Sequence, residues 1–252
     1  MPISLLPGQV VTTPDVAAVA AEAATRLGHA LREAIATRGA ASIALSGGNT
    51  PRPAYEQLAR ETNVDWSKVS VFWIDERAVP PTHARSNYRL AKESLLDRVP
   101  ILPVNVHRMH GDAESLEQAA RDYAALLTTK LSTVRVGTID VPVFDAAVLG
   151  IGDDGHTASL FPGEASVEVR DRVVLSIAAA PKLAREARLT VTTPVIEQIR
   201  TALYLVTGKA KRGPLDRVSS TTGALQETPS RISRGIVGKL VWILDDAAAG
   251  VE

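Results

Sequence analysis

Apolar residues along the chain follow two spacings, one typical of helices and one typical of buried strands. Helical spacing runs over residues 16–35 and stops before Gly39, so we predict a helix that ends at this glycine. The tripeptide Thr13-Pro14-Asp15 precedes it, and Thr13 is the expected N-cap, with proline in the first helical position. A short apolar run at residues 41–45, interrupted by Ser42, then predicts a strand, which leads into a glycine-rich turn.

This order of strand, turn and helix repeats to the end of the chain. Further strands are expected at residues 69–74, 146–151, 173–178, 189–193, 202–207 and 240–244. Further helices are expected at residues 53–60, from Ser86 or Asn87 to Leu96, at 113–131, and after Pro194 and Gly208. Strands that alternate with helices indicate an α/β protein with a mostly parallel, Rossmann-like sheet and helices on both faces. We expect a single domain over residues 1–252, with a small inserted lobe at 132–145 or 160–190.

Composition narrows the class of protein further. The 28 basic residues balance the 28 acidic residues and no basic stripe is visible, which argues against a nucleic-acid partner. The chain has no cysteine, so disulfides, thiolate nucleophiles and thiolate metal sites are excluded. No apolar run approaches the roughly 18 residues of a membrane span, and residues 1–7 lack the features of a signal peptide. We therefore expect a cytoplasmic protein without a membrane partner, whose anionic ligands are small.

Three segments that can carry chemistry follow predicted strands, where ligands collect in open α/β sheets. The first is Ser46-Gly47-Gly48-Asn49-Thr50-Pro51. Its two glycines let the backbone turn and expose amide groups, which together with the next helix N-terminus form a cradle for phosphate. The hydroxyls of Ser46 and Thr50 add donors. The alternative is an ordinary turn in which glycine only meets a dihedral requirement, since the spacing is neither a Walker loop nor a dinucleotide fingerprint.

The second segment is the charged triplet Asp75-Glu76-Arg77, which directly follows an apolar run. Taken alone, the triplet is most simply a solvated loop with a local ion pair. Its position favours a functional role for the triplet, because Arg77 would lie at the same edge of the sheet as the glycine turn. From that edge the guanidinium group can hold a phosphate with two hydrogen bonds or oppose a developing oxyanion.

The third segment, residues 150–161, contains three glycines, two carboxylates and His156 directly after the most apolar strand. A histidine titrates near neutral pH and can take a proton from water, so His156 is the candidate general base. Asp154 stands two residues earlier, where it can hold the imidazole ring and fix its tautomer. The alternative is a surface loop with an incidental histidine, which the apolar flanks of the segment disfavour.

The other histidines and the serines are weaker candidates. His107 and His110 follow a short apolar run and could ligate zinc together. No cysteine is available and carboxylates are not grouped around them, so a structural or solvated role is favoured. Covalent hydrolysis by serine is not expected, because the chain has no G-x-S-x-G nucleophile elbow at a strand end.

Taken in order, these segments resemble the 6-phosphogluconolactonase family. The resemblance rests on residues 46–51, on 75–80 with Ser86-Asn87-Tyr88, and on 150–162, and it continues through 188–190 and 208–211 to 242–248. It implies hydrolysis of 6-phospho-D-glucono-1,5-lactone to 6-phosphogluconate, the second step of the oxidative pentose phosphate pathway. It also implies a sheet like that of glucosamine-6-phosphate deaminase and ribose-5-phosphate isomerase, with no required metal or cofactor.

The resemblance also implies roles for individual residues. The expected phosphate-binding residues are Ser46, Gly47, Gly48, Thr50, Arg188 and Lys211, and the expected catalytic residues are His156, Asp154 and Arg77. Lys182 and Lys209 are alternative cations to Lys211. The sequence leaves open whether Arg77 serves the phosphate or the oxyanion, and whether Asp154 orients His156 or contacts the substrate. We expect a monomer or a weak homo-oligomer.

Two rival functions stand beside lactone hydrolysis. Glucosamine-6-phosphate deaminases share the glycine segment, the Asp-Glu-Arg triplet and an Asp-Gly-His loop, but they continue into an Asn-Glu-Pro segment whose glutamate serves the active site. Here the corresponding stretch is Ser159-Leu160-Phe161-Pro162-Gly163, which lacks that glutamate and favours the lactonase. A non-catalytic sugar-phosphate sensor could dispense with the base. It would usually carry a DNA-binding module, for which this chain has no basic surplus.

Overall fold

Six parallel strands form the central sheet of the protein, whose computed structural model describes residues 3–180 and 185–251. In spatial order these strands are β1 (Gln9–Thr13), β11 (Lys239–Asp245), β10 (Thr201–Val206), β7 (Ala146–Leu149), β2 (Ala41–Leu45) and β3 (Val69–Trp73). Every residue of β2 and β7 is buried, which requires cover on both faces of the sheet. The predicted α/β class with a mostly parallel, Rossmann-like sheet is confirmed.

Seven α-helices accompany the strands in the described residues. They are α1 (Val16–Arg38), α2 (Pro51–Leu58), α3 (Asn87–Ser94), α4 (Leu116–Lys130), α5 (Thr193–Glu197), α6 (Arg212–Ser219) and α7 (Asp246–Ala249). The alanines and leucines of α1 repeat on one face and are buried, as its helical spacing predicts. Within residues 3–180 and 185–251, no helix combines the length and the apolar character needed to cross a membrane.

A smaller antiparallel sheet lies beside the central one. It consists of β4 (Asp75–Arg77), β9 (Arg188–Val191) and β8 (Val174–Ile177). Ile74 joins the two sheets, because its N–H donates to the carbonyl of Leu45 at 2.9 Å and its carbonyl accepts from the N–H of Val191 at 2.9 Å. A separate hairpin of β5 (Thr133–Val136) and β6 (Ile139–Pro142) lies within the first segment that was expected to form an inserted lobe.

The start of α1 differs from the sequence prediction. Thr13 is the last residue of β1, where it pairs with Asp245, so it is not the helix N-cap. Asp15 takes that role, because its Oδ1 accepts a hydrogen bond from the N–H of Ala18 at 2.8 Å. The end of α1 was predicted correctly, since Gly39 adopts a left-handed conformation with φ of +81° and donates to the carbonyl of Ile35.

Two further corrections concern elements near the glycine turn. The helix expected at 53–60 begins at Pro51 and ends at Leu58, since proline is well tolerated in a first helical turn. The triplet Asp75-Glu76-Arg77 is a strand and not a solvated loop, and the side chains of Asp75 and Glu76 are buried. Its backbone finds antiparallel partners in β9, which the local sequence does not reveal.

Candidate active site

A polar pocket of about 430 Å³ opens at the carboxyl ends of β2, β7 and β10. Strands β2 and β7 are neighbours in this sheet. The next strand of the sheet after β2 is β3, which lies on the far side of β2, and the next strand after β7 is β10, which lies on the far side of β7. The pocket therefore lies at a switch point of the sheet, where ligands bind in α/β proteins. Eight of the nine residues predicted for the site line it: Ser46, Gly47, Gly48, Thr50, Arg77, His156, Arg188 and Lys211. The ninth, Asp154, contacts the His156 ring and does not line the pocket.

The glycine segment brings unpaired backbone donors to this pocket. The N–H groups of residues 47–50 have no hydrogen-bond acceptor among the described residues. A Cβ atom at Gly47 would lie 1.7 Å from Oδ1 of Asn87, so only glycine fits beside that buried amide. Gly48 has a φ of +103°, which glycine adopts without strain. Together with the N-terminus of α2, these amides are suited to bind an anion.

The two hydroxyl groups of the segment are tied to neighbouring strands. Ser46 Oγ donates to the carbonyl of Val148 in β7 at 2.7 Å, and Thr50 Oγ1 lies 3.1 Å from Thr207 Oγ1 after β10. The hydroxyl of Tyr55 accepts from the N–H of Ser46 and donates to its carbonyl, and burial raises the pKa of this tyrosine. The Ser46 hydroxyl proton is therefore committed to β7, while its oxygen can still accept a hydrogen bond.

His156 and Asp154 form a hydrogen-bonded pair in the loop after β7. His156 Nδ1 lies 2.7 Å from Asp154 Oδ1, and the N–H of His156 donates to the same oxygen at 3.0 Å. Burial alone would raise the pKa of Asp154, but the hydrogen bonds from the His156 ring and backbone outweigh burial and lower this pKa to about 2. The ionised carboxylate accepts from Nδ1–H, so the lone pair of a neutral ring is on Nε2. Nε2 has no partner among the described residues.

The backbone of this loop is fixed by close contacts at its glycines. A Cβ atom at Gly152 would lie 2.1 Å from His156 Nδ1 and 2.7 Å from Asp154 Oδ1. The imidazole and the carboxylate thus occupy the space that a side chain at Gly152 would need. Gly155 has a φ of +95°, and its carbonyl accepts from the N–H of Ser230 at 3.0 Å. These contacts hold the ring and the carboxylate in one arrangement.

Phe161 connects the His156 ring to arginines near the second sheet. The ring centroids of Phe161 and His156 are 4.8 Å apart, with an angle of 45° between the planes. Arg185 Cζ lies 3.8 Å from the centroid of the Phe161 ring and is ion-paired with Glu164. Arg188 Cζ lies 5.5 Å from the same centroid. The buried aromatic ring therefore packs against the candidate base as well as against two guanidinium groups.

Glu76 supports the site without entering the pocket. Its carboxylate accepts four hydrogen bonds, from Ser86 Oγ and from the N–H groups of Arg77, Asn87 and Tyr88. Burial raises the pKa of Glu76 and opposes these bonds, all of which favour the charged form. The carboxylate satisfies backbone donors at the start of α3 and so fixes this helix against β4.

Asp75, the first residue of the triplet, holds Arg188 at the pocket wall. Its Oδ2 accepts from Ser159 Oγ at 2.6 Å and lies 3.7 Å from Arg188 Nη1, while its Oδ1 accepts from Asn87 Nδ2 at 3.0 Å. Burial lowers the pKa of Arg188, and the neighbouring Asp75 opposes that effect. Nε of Arg188 is buried and has no hydrogen-bond partner in the described part of the chain.

Two further cations line the pocket. Arg77 Nη1 donates to the carbonyl of Arg85 at 2.5 Å, and its buried Nε has no partner among residues 3–180 and 185–251. Lys211 follows β10, and its Nζ lies 2.5 Å from Asp153 Oδ1. Of the two alternative lysines, Lys209 is exposed and does not line the pocket, and Lys182 lies outside the described residues.

The predicted site residues do not include Asn87, Asp153 and Phe161, which all contact members of that set. Asn87 lies next to the serine that caps α3, so its place at a helix start could be predicted. Its contact with Gly47 could not, because it joins two segments that are separate in the sequence. Asp153 lies beside Asp154, and no local pattern distinguishes the carboxylate that pairs with a lysine from the one that pairs with the histidine.

The remaining histidines lie outside the pocket. His107 stacks on Phe72 with ring centroids 4.7 Å apart, and burial lowers the pKa of this histidine. His29, His83 and His110 are exposed. No group of three or more His, Asp or Glu side chains among the described residues is arranged to hold a metal ion. These positions agree with the structural or solvated roles that the sequence favours.

The fold and the pocket define the class of the protein: a doubly covered parallel α/β sheet with a cation-lined pocket at its switch point. The chain belongs to the family of glucosamine-6-phosphate isomerases and 6-phosphogluconolactonases, whose family model matches residues 14–242. It is 41% identical over 218 residues to a 6-phosphogluconolactonase from Synechocystis sp., a match that covers 86% of this chain and 87% of the relative. It is 36% identical to one from Nostoc sp. over 95% of each chain.

Solved structures agree with this family membership. The 6-phosphogluconolactonase from Trypanosoma cruzi aligns with a TM-score of 0.86 at 28% identity, over 99% of this chain and 97% of that chain. The enzyme of the same name from Trypanosoma brucei gives a TM-score of 0.84 at 27% identity, over 97% and 98% of the two chains. A monomeric glucosamine-6-phosphate deaminase shares the fold, with a TM-score of 0.79 at 19% identity over 97% of this chain and 100% of that chain.

Proposed function

We propose that the protein hydrolyses 6-phospho-D-glucono-1,5-lactone to 6-phospho-D-gluconate, as the second step of the oxidative pentose phosphate pathway. The observation that carries the proposal is the His156–Asp154 pair, whose Nδ1–Oδ1 distance is 2.7 Å, on a pocket that also contains unpaired amides and three cations. The family relatives from Synechocystis and Nostoc, both 6-phosphogluconolactonases, support this choice of substrate.

In this proposal the phosphate binds to the glycine segment. The N–H groups of residues 47–50 and the N-terminus of α2 donate hydrogen bonds to its oxygens, as helix N-termini do in other phosphate sites. Arg188 and Lys211 supply positive charge from the second sheet and from the turn after β10. Ser46 contributes indirectly, because its hydroxyl donates to Val148 and fixes the segment against β7.

The chemical step needs a base and a stabilised oxyanion, because a δ-lactone is an activated ester. His156 Nε2 takes a proton from a water molecule as the water oxygen attacks C1, so that C1 becomes tetrahedral and the carbonyl oxygen becomes an oxyanion. Arg77 donates hydrogen bonds to that oxyanion. When the oxyanion collapses, the C1–O5 bond breaks, and the imidazolium returns its proton to O5, which leaves as the C5 hydroxyl. Asp154 orients the ring and stabilises its cationic form.

The stretch after His156 supports hydrolysis over deamination. Residues 159–163 contain no carboxylate that could enter the pocket. Instead, Ser159 Oγ is bound to Asp75 and the ring of Phe161 packs against His156. The acidic side chains that do line the pocket, Asp75 and Asp153, already have partners. The glutamate that serves a deaminase active site thus has no counterpart in this stretch.

The reaction is tested by assaying two substrates in parallel. We expect the purified protein to release acid from freshly prepared 6-phospho-D-glucono-1,5-lactone well above the spontaneous rate, and to release no ammonia from glucosamine 6-phosphate. His156→Asn should lower kcat for the lactone by about 10²–10⁴-fold, the usual contribution of a general base. His29→Asn is the control, because His29 is exposed on α1, and this variant should retain full turnover. Near-normal turnover by His156→Asn would refute the role of the base, and ammonia release would identify a deaminase.

A further inference from the structure

Asp153 lines the pocket and has no part in the reaction described above. Its side chain is 74% exposed, and its Oδ1 lies 2.5 Å from Nζ of Lys211, whose side chain is 22% exposed. Among the described residues, this ion pair is the one interaction of the Asp153 carboxylate. A negative charge in a pocket for a phosphorylated ligand opposes binding. The position of Asp153 therefore needs a separate explanation.

We propose that Asp153 is an exchangeable counterion: it pairs with Lys211 as long as no ligand is bound, and the lysine leaves it for the phosphate when the ligand binds. The proposal rests on the proposed function, in which Lys211 binds the phosphate. Exposed ion pairs are weak, and a carboxylate that is 74% exposed is readily rehydrated when its partner leaves. The pair keeps the ammonium group at the pocket wall without holding it strongly.

The backbone around Asp153 is fixed, so the exchange involves side chains alone. Its carbonyl accepts from Arg217 Nη2 at 3.4 Å, and the N–H of Gly152 donates to the carbonyl of His156 at 2.9 Å. Lys211 lies 58 positions further along the chain, in the turn after β10. The ion pair thus connects the loop that carries the base to the loop that carries the phosphate-binding cation. The phosphate must break this ion pair to bind Lys211, which weakens ligand binding and favours release of the product.

This role predicts that removing the Asp153 charge tightens binding. We expect Asp153→Asn to lower the Kd for 6-phospho-D-gluconate, measured by isothermal titration calorimetry, by about 3- to 10-fold, and by less in high salt. The matched control is Asp97→Asn, because Asp97 Oδ1 also lies 2.5 Å from a lysine, Lys92, but away from this pocket. That variant should leave the Kd unchanged. Asp153→Glu keeps the charge and should keep the wild-type affinity.

Variants of Lys211 separate this inference from the proposed function. Lys211→Ala should weaken the binding of 6-phospho-D-gluconate, and Asp153→Asn should give no tightening in the Lys211→Ala background. If Lys211→Ala weakens binding but Asp153→Asn does not tighten it, the exchange is refuted and the phosphate role of Lys211 stands. Tightening that persists without Lys211 would also refute the exchange, because it would reflect general repulsion of the ligand. If Lys211→Ala leaves the Kd unchanged, the phosphate assignment itself is wrong.

Discussion

Gly152 determines the position of His156, the proposed base, although it has no side chain. A methyl group at this position would lie 2.1 Å from His156 Nδ1 and 2.7 Å from Asp154 Oδ1, which is closer than atoms can approach. Either the ring or the carboxylate would have to move. The geometry of the His156–Asp154 pair therefore requires glycine at position 152 as well as the two side chains that form the pair.

We expect Gly152→Ala to lower kcat for lactone hydrolysis by roughly 10²-fold, because a base displaced by about 1 Å loses much of its effect. Loss of the hydrogen bonds from His156 should also raise the pKa of Asp154 from about 2 towards its ordinary value of 3.8. In the wild type these bonds stabilise the fold above pH 3.8, and that contribution is lost as the pH falls towards 2. A ¹³C NMR titration of the Asp154 carboxyl group measures this change.

The control for that titration is Gly150→Ala, in the same loop. A Cβ atom at Gly150 meets no atom within 4 Å, so the Asp154 titration should not change. If Gly152→Ala left both the Asp154 pKa and kcat at their wild-type values, Gly152 would not position the pair.

The contacts of single residues could be predicted where the partner residue is close in sequence. Asp154 and His156 are two positions apart on a glycine-rich turn, so their spacing suggested the pairing that the structure shows, although it also left a substrate contact of Asp154 open. The contact between Ser159 and Asp75 spans 84 positions, and the contact between Lys211 and Asp153 spans 58. Such contacts depend on the order of strands in the sheet, which no local pattern contains.

At the scale of elements, the apolar strands were predicted well and the polar ones were not. Strand β7 is a continuous apolar run and β2 is apolar except for Ser42, because both faces of these strands are buried. Strand β4 has the sequence Asp75-Glu76-Arg77, which is entirely charged. Its extended conformation comes from pairing with β9, which is distant in the sequence. The edge strand β1 was also missed, since only Val10 and Val11 of its five residues are apolar, none of the five is buried, and its partner is β11 at the other end of the chain.

The junction between β4 and α3 gives a prediction about stability. Glu76 accepts four hydrogen bonds there, and a glutamine would turn an NH₂ group towards backbone donors. We expect Glu76→Gln to lower the free energy of unfolding by about 2–3 kcal/mol, because charged hydrogen bonds contribute ~1.5–3 kcal/mol and the lost acceptor leaves donors unpaired. Urea denaturation at pH 7 measures the change. Glu33→Gln, at an exposed position on α1, is the control and should change it by no more than ~0.5 kcal/mol. Equal midpoints for Glu76→Gln and the wild type would show that this carboxylate does not stabilise the junction.

At the scale of the whole molecule, the pocket draws on both sheets. The glycine segment and the His156 loop follow strands of the central sheet, whereas Arg77 and Arg188 belong to β4 and β9 of the smaller one. Ile74 joins the two sheets through hydrogen bonds to Leu45 and Val191. The position of His156 relative to the cations therefore depends on this joint, and a loss of the smaller sheet would remove two of the three cations that line the pocket.

We propose that the two sheets unfold as one cooperative unit. The main cluster of buried apolar residues extends from Leu6 to Ala248, and β1 pairs with β11, so the two ends of the described chain are held in the same sheet. The smaller cluster of Phe161, Leu175 and Ile177 packs beside the His156 ring through Phe161. We expect the calorimetric and van't Hoff enthalpies of thermal unfolding to agree, which is the signature of a single transition. Native-state hydrogen exchange should give the same opening free energy for the slowest amides of β8 and β9 as for those of β2 and β7. If the amides of β8 and β9 opened in a separate step of lower free energy, the smaller sheet would be an independent unit, and the arginines of the pocket would be ordered only while that unit is folded.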